Sequence, residues 1–283
     1  MRTTVLLVLL AACTGSEPVD SDAPRPTSGT LRLLTYNVQG LPDVLTDSPR
    51  PNVERMTAIA PLLESFDIVG LQEDFDADNH ALLTDTTHPE VAWFSAPVDE
   101  SRAYGAGLSL LSREPRTDYV ETFYTACNGV FDGASDCLAS KGFQRLSLDL
   151  GGVTVDLVNT HHEAGGGPED DVARRSQVQQ VIDTLAAVPD HAVIFMGDTN
   201  LRPSDPEDVD ELALYADAGM RDACVELDCD EPDHIDRFLI RDAPGITLTV
   251  DAWEDLDATF RFAEGDPMSD HPPISITLSW STE

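Results

Sequence analysis

The stretch VIFMGDTN at residues 193–200 runs four apolar residues into Gly197, then places a carboxylate, a hydroxyl and an amide at Asp198, Thr199 and Asn200. A buried strand that ends in such groups is building a polar site at its tip. Four other strand candidates carry polar groups at a tip in the same way. Asn37 closes LLTYN, Glu73 closes DIVGLQE, Asn159 and His161 close VDLVNTH, and Asp270 with His271 immediately precedes PPISITL. Carboxylate and amide oxygens suit a hard divalent cation such as Mg2+ or Ca2+, while neutral imidazole and amide N–H groups hydrogen-bond phosphoryl oxygens. No Gly-x-Ser-x-Gly elbow is present, and no cysteine stands near a histidine in a protease-like context. Direct attack by water is therefore favoured over covalent catalysis. Singly, Asn37 reads equally well as a turn cap and Asp198 as an Asx-turn; five tips together read as a site.

The elements that must carry these tips follow from periodicity. LRLLTY at 31–36, DIVGLQED, GLSLLS at 107–112, YVETFY at 119–124, AVIFMG, IDRFLI, ITLTV and PISITLSW are strand candidates. FQRLSLDL alternates, turns at Gly151-Gly152 and returns as VTVDLVNT, which reads as a hairpin. Val53, Met56, Ile59, Ala60 and Leu63 recur at helical spacing over 52–64, and Val178, Val181, Ile182 and Leu185 do so within 169–187. Hairpins mixed with strand–helix–strand passages predict a layered α/β protein with mixed sheets, one domain over 30–281.

The 283 residues hold 17 Lys+Arg against 52 Asp+Glu, a net charge of −35. Such a surface repels polyanions at long range and argues against non-specific tracking along nucleic acid. It suits an exported or salt-adapted enzyme. MRTTVLLVLLAAC carries one early charge, Arg2, a short apolar run and small residues before Cys13. It resembles a bacterial lipoprotein leader, which implies cleavage after residue 12, a lipid on Cys13 and, with Thr14 following, attachment at the outer membrane. Residues 13–29 read as a flexible tether. The other cysteines form two local pairs, Cys127/Cys137 and Cys224/Cys229. Export makes two disulfides the first expectation, with a zinc site as the competing one.

Seven short motifs, LLTYNVQG, DIVGLQE, GAGLSLLSREP, VNTHHEAG, MGDTN, HIDRFLI and SDHPPI, stand in the order of the endonuclease/exonuclease/phosphatase superfamily, which is DNase I-like. The resemblance covers about residues 30–280. It implies a four-layer α/β sandwich of two packed mixed β-sheets flanked by helices. It further implies Mg2+, with Mn2+ or Ca2+ as alternatives, held by Glu73, Asn37 and Asp270. Asn159 and His161 would contact the phosphate, Asp198 and Asn200 would orient the water and phosphate, and Asp236 would hold the His271 tautomer. His271 and Asp198 both stand as the general base, and His271 stands alternatively as the group that stabilises the pentacovalent phosphorane. An imidazole near its unperturbed pKa favours His271.

The run CLASKGFQRLSLDLGGVTVDLVNTHHEAGG resembles the neutral sphingomyelinase-like branch. That likeness implies a lipid head group or small phosphodiester as substrate, with nucleic acid as the alternative. A monomer is expected, with a membrane reached through Cys13 of the lipoprotein-like leader. Lys141 reads as a phosphate contact or a solvated loop lysine. Glu163 reads as part of the rim. His80, His88, His162 and His191 read as structural. Phe123-Tyr124, Val130-Phe131 and Trp253 are the best candidates for apolar contact with a bilayer.

Overall fold

The computed structural model describes residues 25–46, 48–129, 136–230 and 233–283. The expected leader, most of the tether, and Val130 and Phe131 lie outside them. In chain order the elements are β1 (Ser28–Asn37), α1 (Asn52–Leu63), β2 (Ile68–Gln72), α2 (Ala77–Leu83), β3 (Glu90–Phe94), β4 (Leu108–Ser112) and β5 (Arg116–Phe123). Then come β6 (Gly142–Leu150), β7 (Val153–His161), α3 (Pro168–Ala186), β8 (Ala192–Asp198) and α4 (Pro206–Asp217). β9 (Arg221–Asp222), α5 (Ala223–Glu226), β10 (Asp236–Arg241), β11 (Ile246–Asp255) and β12 (Ile274–Thr282) complete the series.

Among the described residues these strands make two six-stranded sheets, ordered β11-β12-β1-β2-β4-β3 and β5-β6-β7-β8-β10-β9. Both are mixed: β1 and β2 run parallel, as do β7 and β8, and their other pairings are antiparallel. The sheets bury their facing sides against each other through Leu33, Ile68, Leu110, Leu157, Ile194 and Met196. Their outer faces are covered by helices. Met56, Ile59 and Leu63 of α1 pack with Leu34, Tyr36 and Leu71, while Val178, Val181 and Leu185 of α3 pack with Val158, Val193 and Phe195. The result is the four-layer α/β/β/α sandwich that the motifs imply.

Local chemistry explains the elements. At 52–63 the buried positions fall at helical spacing on one face. α3 begins with Pro168 at its first position and acids at 169–171, and the Asp170 carboxylate accepts the Gly167 N–H. The β6–β7 turn uses Gly151 at φ 65° and Gly152 at φ 95°, the left-handed pair that a tight two-residue hairpin demands. Sequence periodicity did not foresee α2, β3 or α4. α2 spans seven residues and buries Asn79 and Leu83 alone, too short a pattern to register. α4 did carry a signal, since Asp205 caps it and Pro206 opens it.

Gly197 has φ 146°, and a Cβ there would stand 2.2 Å from the Thr160 carbonyl oxygen on the neighbouring parallel strand. The residue lets β8 lie against β7 with His161 opposite Asp198. Gly197→Ala should therefore lower stability by about 2–4 kcal/mol, read as a fall in the urea midpoint at unchanged slope. An unchanged midpoint would show that the strands do not need this approach.

Candidate active site

Both sheets deliver side chains to one rim. β1 ends at Asn37 and β2 is followed by Glu73, while Ser269, Asp270 and His271 lead into β12; the other sheet brings His161 and Asp198 at the ends of β7 and β8, and Asp236 at the start of β10. Register aligns the second group, because Asp198 pairs with His161 on one side and with Asp236 on the other.

The Asn37 amide nitrogen lies 3.1 Å from Glu73 Oε1 and 3.1 Å from Asp198 Oδ2. Its oxygen accepts the Gln39 N–H at 3.0 Å. Asp198 Oδ2 is also 3.5 Å from His161 Nε2 and 3.7 Å from His271 Nε2, and its other oxygen accepts the Asn200 N–H. His271 Nδ1 sits 2.8 Å from Asp236 Oδ2. Ser269, which the sequence reading did not single out although it lies within SDHPPI, donates to the Asn37 carbonyl at 2.7 Å and so fastens the His271 loop to β1. Glu73, Gln39 and Asn200 all have left-handed φ, at 60°, 52° and 51°. Such a backbone costs of order 1–3 kcal/mol per residue and collects where function over-determines geometry.

The charges are strongly coupled. Burial raises Glu73, helped by Asp198 and Asp270 and opposed by Asn37. Burial also pushes Asp198 up, but the His161 and His271 imidazoles and Lys141 outweigh it and leave the carboxyl below its usual range. His161 is not a cation at neutral pH, since burial and then Lys141 hold it down to about 3. Burial lifts Asp236 to about 6. For His271 burial acts downward, yet Asp236 and Asp198 override it and raise the ring to about 10. The imidazole is therefore not near its unperturbed value, and the premise that favoured it as base does not hold.

Four carboxyl groups, from Glu73, Asp198, Asp236 and Asp270, thus gather near His271, with oxygen donors in excess. That donor set fits a hard divalent cation. Asp270 is exposed and lines two clefts that meet at the rim. One, of about 570 Å3, also includes Gln39, Leu41, Leu45, Glu73 and Ser269. The other, of about 450 Å3, includes Arg202, His234, Asp236 and His271.

Four expectations need correction. Asn159 is not at the rim. It lies deeper, between the sheets, where its amide nitrogen donates to Leu71 O, Ser109 O and Gln144 Oε1 and its oxygen accepts from Gln72 Nε2 at 2.7 Å. A phosphate cannot reach a side chain spent in this way. Glu163 is wholly buried, accepting from Asn128 N and Gln177 Nε2, and burial followed by Asp136 raises it to about 7. Lys141 is neither solvated nor open to a ligand, for it pairs with Asp136 at 2.7 Å and donates to the His162 carbonyl. Asn200 reaches the same carbonyl at 3.2 Å. Trp253, offered as a bilayer contact, is instead partly buried against the core between the sheets. Both cysteine pairs form disulfides, with Cα atoms 5.4 and 5.0 Å apart.

The family model described as "Endonuclease/Exonuclease/phosphatase family" matches residues 34–271. Sphingomyelinases of Mycobacterium tuberculosis (strain ATCC 25618 / H37Rv) and Mycobacterium bovis are each 30% identical over 284 aligned residues, covering 93% of this chain and 54% of theirs. The chain thus spans about half the length of these curated relatives. Among solved structures, sphingomyelinase C from Streptomyces griseocarneus superposes with TM-score 0.66 at 20% identity, covering 88% of this chain and 99% of that one. A mutant beta toxin of Staphylococcus aureus with bound magnesium ions gives 0.65 at 18%, covering 90% and 100%. D. rerio TDP2 complexed with a single-strand DNA product gives 0.64 at 19%, covering 88% and 98%. At these identities the solved structures speak for the fold.

Two measurements check the site's geometry. In the metal-free protein, NMR titration should find His271 protonated through neutral pH and His161 neutral throughout. Because the His271 pKa is raised on folding, its stabilising contribution is full below about pH 6.5 and is lost as pH rises through about 10. A His271 midpoint near 6.5 would contradict the arrangement. Asn159→Ala should cost about 1–3 kcal/mol by stranding Gln72 and Gln144, while the folded fraction keeps an intact rim.

Proposed function

The chain belongs to the endonuclease/exonuclease/phosphatase family, and from that membership we propose that it is a metal-dependent phosphodiesterase of the sphingomyelinase type. The observation that carries this reading is the convergence of Glu73, Asn37, Asp198, His161, Asp236 and His271 within hydrogen-bond or ion-pair reach along one rim. Glu73 and Asn37, with Asp270 beside them, would hold Mg2+, with Mn2+ or Ca2+ as alternatives. The magnesium-bound beta toxin supports that choice. When bound, the cation supplies Lewis-acid neutralisation of the phosphoryl oxygens.

The chain's own groups divide the remaining work. Asp198, kept ionised, orients the attacking water and accepts its proton, with Asn200 fixed beside it. Neutral His161 and protonated His271 hydrogen-bond the oxygens on which charge accumulates during in-line attack. Asp236 keeps the His271 ring aligned through Nδ1. The substrate class is a lipid head group or small phosphodiester; the sphingomyelinase relatives and the net charge of −35 both favour it over polymeric nucleic acid. The leader sequence supports export and anchoring through lipid on Cys13, at the outer membrane. Among the described residues no helix is long and apolar enough to cross a membrane.

A panel of sphingomyelin, a small chromogenic phosphodiester and single-stranded DNA, run with Mg2+, Mn2+ and Ca2+, tests the proposal. Sphingomyelin should turn over fastest, and EDTA should abolish the reaction. Asp198→Asn and His271→Ala should each lower turnover by on the order of 10²–10⁴-fold with folding preserved. Hydrolysis indifferent to chelation would overturn the metal mechanism, and preferential cleavage of DNA would overturn the substrate class.

A further inference from the structure

Beside the rim cleft that His234 lines, a second group of described residues gathers metal-ligating atoms. Sγ of Cys224, Sγ of Cys229 and an imidazole nitrogen of His234 lie within 4.8 Å of one another. The two cysteines are joined as a disulfide in the structure. Cys224 is buried in α5, whose first turn is fixed by Asp222 accepting the Cys224 N–H at 2.9 Å. His234 lies just ahead of β10, its ring against Trp253 at 5.1 Å between centroids.

The tautomer of His234 is set by its partner. Nδ1 bonds the Asp236 carbonyl oxygen, which can only accept, so Nδ1 carries the proton and Nε2 carries the lone pair. Nε2 is buried and has no hydrogen-bond partner among the described residues. Burial, reinforced by Arg237, keeps the ring neutral by lowering it to about 4. A buried acceptor without a donor is costly, and a ring that carries one, lies near two sulfurs and has its other nitrogen already fixed has the form of a metal-binding imidazole.

We propose that the reduced Cys224–Cys229 pair and His234 form a binding site for a thiophilic divalent cation of the Zn2+ class, distinct from the oxygen-lined rim and mutually exclusive with the disulfide. A dithiol reductant passes two electrons and two protons to the disulfide and leaves as its own disulfide. Each protein thiol then releases its proton on becoming a thiolate ligand, so one cation replaces two protons. Two sulfurs and one nitrogen leave a fourth tetrahedral position for water. Soft thiolates select this ion where the carboxylates of the rim select a hard one. The site bears on the rim through His234, which grips the main chain of Asp236 and whose own carbonyl accepts from Arg237 at 2.8 Å.

Cobalt titration of the full chain tests this, because a thiolate-to-Co2+ charge-transfer band reports sulfur ligation and is silent on ions held by carboxylates. After reduction with a phosphine, the band should rise and saturate at one equivalent, and Zn2+ should remove it. Oxidised protein should show no band. His234→Ala should weaken Co2+ binding by at least about tenfold and shift the band, while Cys224→Ser/Cys229→Ser should abolish it. Near-ultraviolet circular dichroism follows the fold throughout. The proposal fails if reduced, folded protein gives no band, if His234→Ala leaves band and affinity unchanged, or if reduction unfolds the chain before any metal binds.

Discussion

Half of the rim comes from each sheet, so its geometry is only as good as the relative placement of the two sheets. An apolar interface alone is permissive about sliding, since one aliphatic contact is much like the next. The buried amides of Gln72, Asn159 and Gln144 remove that freedom. Asn159 on β7 bonds backbone carbonyls of β2 and β4 and the side chains of Gln72 and Gln144, tying one sheet to the other just below the site. Each of these bonds would be expensive to leave unmade in so dry a setting. Displacement by one residue would break several at once.

Above that seam the design accepts electrostatic cost. Carboxyl groups from four separate segments approach one another, three neighbouring residues hold left-handed backbones, and a partly buried imidazolium is sustained by the anions around it. Asn37 bridges Glu73 and Asp198 with an amide, and Ser269 holds the loop that carries His271. The framework must be stiff to keep such groups together, and the paired strands beneath them provide that stiffness.

Much of this was legible in the sequence. Asn37, Glu73, His161, Asp198 and Asp270–His271 each adjoin an apolar run, and the end of a run locates a side chain along the sheet. Depth was the weak coordinate. Asn159 and His161 share a face of β7, two residues apart, yet one is interior and the other is at the rim. The difference depends on where the opposing sheet ends, which no local pattern records. The same limit applies to Glu163, whose glycine-rich surroundings look like a surface loop but which packs beneath Gln177 and Asn128. The protonation of His271 was hidden for a related reason: it depends on Asp198 and Asp236, which lie far from it in sequence.

The first described residues dock at the far end of the sandwich. Arg25 pairs with Asp149 beside the β6–β7 turn, and Thr27 meets Thr282 there. β7 then runs nine residues from that turn to His161, roughly 30 Å. The first described residues and the rim therefore stand at opposite poles of the sandwich, with the full length of β7 between them.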